Sequence, residues 1–120
     1  MDKGISIKYS GIAESFSKYL SAEMGDRIDA IIIYGSVARK EARKNSDIDL
    51  MIVTKYADNI GFLRKLYHIK TTFEQLADFK FIISLFTITP KTLAQEKKLN
   101  TPFISNVKSD AVRLYGKKVL

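Results

Sequence analysis

Apolar side chains recur at Tyr9, Ile12, Phe16, Tyr19, Leu20 and Met24, three or four residues apart, the spacing of one buried stripe on an α-helix. Gly25-Asp26 ends that helix. Residues 28–34 (IDAIIIY) are rich in β-branched side chains, too short for a helix and apolar on both faces, as in a central strand covered on both sides. Gly35 stops the strand. Residues 47–53 (DIDLMIV) form a second strand, whose period of two puts Asp47 and Asp49 on the face of Met51 and Val53, and Ile48, Leu50 and Ile52 on the other.

Phe62, Leu66, Ile69, Phe73 and Leu76 return to helical spacing, so residues about 58–77 predict a helix packed on the sheet, with Asp58 as its N-cap. Residues 79–89 (FKFIISLFTIT) read as a third strand. Thr89-Pro90 and Thr101-Pro102 each set a capping hydroxyl before a proline at the first helical position, which predicts two short helices. Residues 113–115 add a short edge strand. This alternation of helix and strand predicts an α/β (α+β) fold.

The 120 residues are one domain's length, and no linker, repeat or low-complexity tract divides them, so 1–120 reads as a single domain. No apolar run is long enough to cross a membrane, and the opening MDKGISIKYSG lacks the apolar core of a secretory signal, which points to the cytoplasm. The absence of cysteine removes disulfides, thiol nucleophiles and thiolate metal sites, and His68 is the one histidine. His68 lies on the amphipathic helix and takes no catalytic role. Metal chemistry is left to carboxylates.

The net charge of +7 invites a phosphate-bearing partner. The excess concentrates in 91–120, which hold seven basic and two acidic side chains and include Lys97, Lys98, Lys117 and Lys118. A solubilising surface is the favoured explanation, and binding of nucleic acid through this segment a less favoured one. Phe62, Phe73, Phe79 and Phe81 sit at helix or strand spacing and read as core rather than as base-stacking residues.

The segment from Tyr34 to Val53 carries the chemistry. Gly35 permits a sharp turn and close approach of a ligand, the amides of a short helix through Ala38 can cradle phosphate, and Ser36 adds a hydroxyl donor. Asp47 and Asp49, two apart on a strand, project side by side as hard oxygen ligands, suited to Mg²⁺ shared with substrate phosphates. Two acids opening an otherwise apolar strand are costly unless exposed or liganded, which favours a metal over a merely polar strand entrance.

Gly35-Ser36, ten intervening residues and Asp47-Ile48-Asp49 resemble the signature of the DNA polymerase β-like nucleotidyltransferase superfamily. The likeness is strongest to its minimal members, which include antitoxin nucleotidyltransferases paired with helical HEPN-domain toxins. It implies a nucleotidyltransferase-like fold, a small mixed twisted sheet flanked by helices, and transfer of a nucleoside monophosphate, AMP from ATP, to a protein or small-molecule hydroxyl. By position, Asp47 and Asp49 would be catalytic and ligate Mg²⁺ at a two-metal site. Gly35, Ser36 and Arg39 would hold the triphosphate, Ser46 would brace the turn into the second strand, and Lys40, Arg43 and Lys44 are further candidates for phosphate contact.

Two positions depart from the family pattern. Lys40 stands where a glycine usually follows the motif's arginine, and the strand expected to carry a third carboxylate has Ser84 at that place. Glu74 and Asp78 precede that strand and reach the site only in a shifted register. The alternative is therefore a catalytically weak or inactive module that binds nucleotide, a helical partner protein, or both.

Overall fold

The computed structural model describes residues 3–120. The first helix, α1 (Lys3–Met24), starts six residues before the apolar stripe at Tyr9 and buries Tyr9, Ala13, Phe16, Leu20 and Met24. A 3₁₀ turn at Gly25–Arg27 ends it and leads into β1 (Ala30–Tyr34). A one-turn helix, α2 (Gly35–Ala38), and a polar loop follow, then β2 (Ile48–Val53), which begins one residue after Asp47.

Helix α3 (Ile60–Leu76) is capped by Asn59 rather than Asp58: the Asn59 side chain accepts from the Phe62 N–H at 2.8 Å. Strand β3 (Ile83–Ile88) is shorter than the 79–89 run. Asp78 and Phe79 take positive φ (53° and 55°), which turns the chain where β propensity predicts extension, and leaves Phe79 exposed. The buried Glu74 then accepts the Ile83 N–H (2.8 Å) and pairs with Lys70 (2.9 Å), fixing the entry to β3. Helices α4 (Pro90–Leu99) and α5 (Pro102–Asp110) start at their threonine caps, whose hydroxyls accept from Thr92 and Ile104 N–H. Strand β4 (Val112–Gly116) closes the sheet.

The sheet order is β3-β2-β1-β4, with β2 and β3 parallel and β1 antiparallel to both β2 and β4. Ile31, Ile33, Ile48, Leu50 and Ile52 face α1 and α3, whereas Ala30, Ile32, Met51 and Val53 face α4 and α5 through Leu93, Ile104 and Val107. Both faces are thus covered, which is why β1 reads as apolar throughout. Truncating a fully buried residue such as Leu50 or Leu66 to alanine costs about 2–5 kcal/mol.

One consequence of this order positions the site. The C-terminal end of β1, the N-terminal ends of β2 and β3, and the junction of α5 with β4 all lie at the same end of the sheet, since Tyr34 pairs with Asp49, Asp49 with Ser84, and Ile33 with Val112.

Candidate functional site

At the end of β1 the chain turns at Gly35, whose φ of +78° lies in the left-handed region that glycine adopts without strain. A Cβ there would run into the Asp49 carboxylate. The turn is closed by backbone bonds from Arg39 N–H to Gly35 O (3.0 Å) and from Glu41 N–H to Ser36 O (2.8 Å). Lys40, where the signature usually carries glycine, has φ 63° and so adopts the conformation that glycine would supply at lower cost. The loop beyond is pinned to α1 by Ala42 N–H donating to the buried Ser6 hydroxyl (3.0 Å). Ser46 closes the turn into β2: its hydroxyl accepts from Arg43 N–H (2.8 Å) and its own N–H donates to Arg43 O (2.9 Å).

Asp47 is exposed just before β2, and Asp49 is half-buried between Tyr34 on β1 and Ser84 on β3. Burial, and secondarily the charge of Asp47, push the Asp49 carboxyl above the usual range, with Arg39 opposing. Burial and then the Asp49 charge likewise raise the Tyr34 hydroxyl. Asp47 and the half-buried Asp49 are hard oxygen donors, and a divalent ion such as Mg²⁺ beside them would favour the charged form of Asp49 that burial disfavours.

No third acid stands beside Asp49 on the neighbouring strands. Ser84 occupies the register position beside Asp49, Glu74 is locked to Lys70 and Ile83, and Asp78 lies beside α1 near Lys8 and Tyr9. Among the described residues no group of three His, Cys, Asp or Glu side chains could hold a metal ion.

Arg39 is not free. Its Nη1 donates to Asp110 Oδ2 at 2.9 Å and its Nε to Glu41 Oε2 at 3.2 Å, and these bonds, Asp110's first, hold the guanidinium more firmly protonated than an isolated arginine. Asp110 is the residue that sequence reading missed. It ends α5, and only the sheet order carries that end to β1.

Two clefts meet at Ser36 and Arg39. One, of about 700 Å³, is walled by Arg43, Lys44 and Ser46. The other, of about 330 Å³, runs from Gly35 and Asp49 to the α5 face of Phe103, Asn106, Val107 and Asp110. Residues 103, 106, 107 and 110 follow helical spacing, the one signal in the sequence that marks this face. Gly35, Ser36, Arg39, Ser46, Asp47 and Asp49 are thereby brought to one end of the sheet; His68 is exposed on α3.

A glycine-serine corner thus faces an aspartate pair across two antiparallel strands, in a mixed sheet with helices on both faces. Residues 14–118 match the family described as polymerase beta, nucleotidyltransferase, and the chain belongs to it. A Methanocaldococcus jannaschii protein, provisionally named a protein adenylyltransferase, is 26% identical over 103 residues, which cover 86% of this chain and 95% of that one. The fold is similar to the crystal structure of a provisionally named nucleotidyltransferase from Sulfolobus solfataricus (TM-score 0.57, 18% identity, 98% of this chain and 90% of that one). It is also similar to a toxin-antitoxin crystal structure with AMP-PNP (TM-score 0.54, 16% identity, 88% of this chain and 74% of that one).

Proposed function

We propose that residues 1–120 act as one domain, a Mg²⁺-dependent nucleotidyltransferase that moves AMP from ATP onto a hydroxyl of a protein or small molecule in the cytoplasm. The observation that carries this reading is the close approach of Gly35 to the Asp49 carboxylate, which sets a turn open to phosphate against the aspartate pair. The adenylyltransferase name of the archaeal relative and the AMP-PNP in one fold neighbour support adenine and a triphosphate.

In this scheme Asp47 and Asp49 hold Mg²⁺, which would neutralise charge building on the phosphates. Gly35 permits close approach of the triphosphate, Ser36 donates to a phosphate oxygen, and Ser46 keeps the entry to β2 in place. Arg39 contributes its cation after exchanging Asp110 for phosphate. The acceptor oxygen bonds to the α-phosphorus, the bond to the bridging oxygen of pyrophosphate breaks, and the acceptor proton passes to a base. Since Ser84 is no base at neutral pH, that base is Asp110 once Arg39 has released it, or comes from the acceptor, a partner or solvent. The toxin-antitoxin neighbours support a toxin as that partner, and the resemblance of the sequence implies one of helical HEPN type.

The serine beside Asp49 specifically favours a second reading, in which nucleotide or the helical partner is bound with little or no turnover. Incubation with ATP labelled at the α- or the γ-phosphate, Mg²⁺ and an extract containing acceptor separates the two. Transfer of α-label alone, with pyrophosphate release, lost in Asp47→Asn and in Asp49→Asn, supports the transferase. Transfer of γ-label, or α-transfer indifferent to both substitutions, overturns it.

A further inference from the structure

The nucleotidyl reading assigns residues to metal and phosphate and none to the nucleoside. The 330 Å³ cleft has a wall that those roles leave unused. Phe103 projects from α5 toward the sheet, its ring 6.1 Å from Tyr34 and 4.9 Å from Phe86, so three aromatic rings run along the sheet face that carries Asp49 and Ser84. Phe86 remains 39% exposed although the two ends of its strand, Ile83 and Ile88, are buried, and Phe103, half-buried, lines the cleft with Asp49, which leaves aromatic surface open on this face. One helical turn beyond Phe103, the exposed Asn106 lines the same cleft, and its side-chain amide makes no hydrogen bond among the described residues.

An aromatic face beside an unused amide is what recognition of a nucleobase requires. Stacking is insensitive to base identity, because every base presents a π-face. An asparagine amide offers one donor and one acceptor on adjacent atoms, which complements the donor and acceptor on the edge of adenine. The corresponding edge of guanine presents two acceptors and suits arginine or lysine instead. Connection to the phosphate side is direct, since Ser36 and Arg39 line both this cleft and the cationic one bounded by Arg43 and Lys44.

We propose that the α5 face carrying Phe103 and Asn106 is the nucleoside subsite of this protein, with Phe103 stacking on a purine and Asn106 selecting adenine over guanine, while the polyphosphate extends past Ser36 and Arg39 into the cationic cleft. The proposal rests on the nucleotidyl reading of Gly35, Asp47 and Asp49. It makes Asn106 a specificity-determining residue and leaves acceptor choice to other surfaces.

The test is calorimetric binding of ATP, GTP and inorganic tripolyphosphate, each with Mg²⁺, to the full chain and to Asn106→Ala and Phe103→Leu. Wild type binds ATP more tightly than either competitor. Phe103→Leu, which keeps an apolar side chain against Tyr34 and Phe86, weakens ATP by roughly tenfold and leaves tripolyphosphate unchanged, a binding control that also reports correct folding. Asn106→Ala, at an exposed position, brings the ATP and GTP affinities together. Equal binding of ATP and tripolyphosphate by wild type, or an ATP advantage that survives both substitutions, overturns the subsite while the metal and phosphate reading stands. Binding of none of the three ligands by folded wild type overturns the nucleotidyl reading itself, and the subsite with it.

Discussion

The Cα of Gly35 packs against the carboxylate of Asp49 so closely that no side chain fits between them. The turn at the end of β1 and the acid near the start of β2 are therefore a single unit. Gly35→Ala places a Cβ on that carboxylate and forces an alanine to φ near +78°, where an L-residue is strained by about 1–2 kcal/mol. The expected outcome is a lower unfolding midpoint together with loss of Mg²⁺-dependent nucleotide binding, read by thermal unfolding with and without ligand. Binding that survives intact would show that the two residues do not act together.

Asp49 sets a stability that depends on pH. Its carboxyl is raised by burial and by Asp47, so the folded chain holds that proton more tightly than the unfolded chain does. Stability then falls as pH climbs from the ordinary aspartate value to the raised folded one, and stays lower above it. Asp49→Asn removes this cost. Denaturant midpoints across the acidic and neutral range should show the variant gaining on wild type through that window, with a constant gap above it that narrows when Mg²⁺ is added. A gap that does not change with pH contradicts the assignment.

Ser84 lies beside Asp49 in the parallel register of β2 and β3. Ser84→Asp supplies a third carboxylate on the same face. Its expected effect is tighter Mg²⁺ binding and faster α-phosphate transfer, measured as pyrophosphate release, at some cost in stability from a third like charge. Unchanged or lower turnover in a folded variant would mean that proton removal is not what limits the reaction.

Arg39 reaches phosphate only by leaving Asp110, 2.9 Å away. Asp110→Asn weakens that competition by the worth of a partly exposed ion pair, about 0.2–1 kcal/mol, and should tighten tripolyphosphate binding by roughly 1.5- to fivefold in titration calorimetry. Weaker binding would instead make Asp110 the group that orients Arg39 toward the ligand.

What the sequence made legible was local. The Gly35-Ser36 turn, the alternation that puts Asp49 with Met51 and Val53, and the two Thr-Pro caps each depend on residues adjacent in the chain, and the structure has all of them. The start of β3 was not legible, because left-handed Asp78 and Phe79 and the side chain of Glu74 override a run of strand-forming residues. Asp58 and Asn59 are both capping types, and only backbone geometry selects Asn59. The α5 wall was the least legible part. Phe103, Asn106 and Asp110 lie more than fifty residues beyond Asp49 and reach it only because β4 pairs with β1.

The central claim is that Asp47 and Asp49 form a cation-dependent nucleotide site, and thermal unfolding with ATP, with and without Mg²⁺, tests it most directly on wild type and on the Asp47→Asn, Asp49→Asn double variant. Ligand at about a hundred times its dissociation constant adds ~2.7 kcal/mol, a rise in midpoint of roughly ten degrees for a domain of this size. A rise confined to wild type with both ATP and Mg²⁺ is the predicted result. No rise in wild type, or an equal rise in the double variant, contradicts the claim.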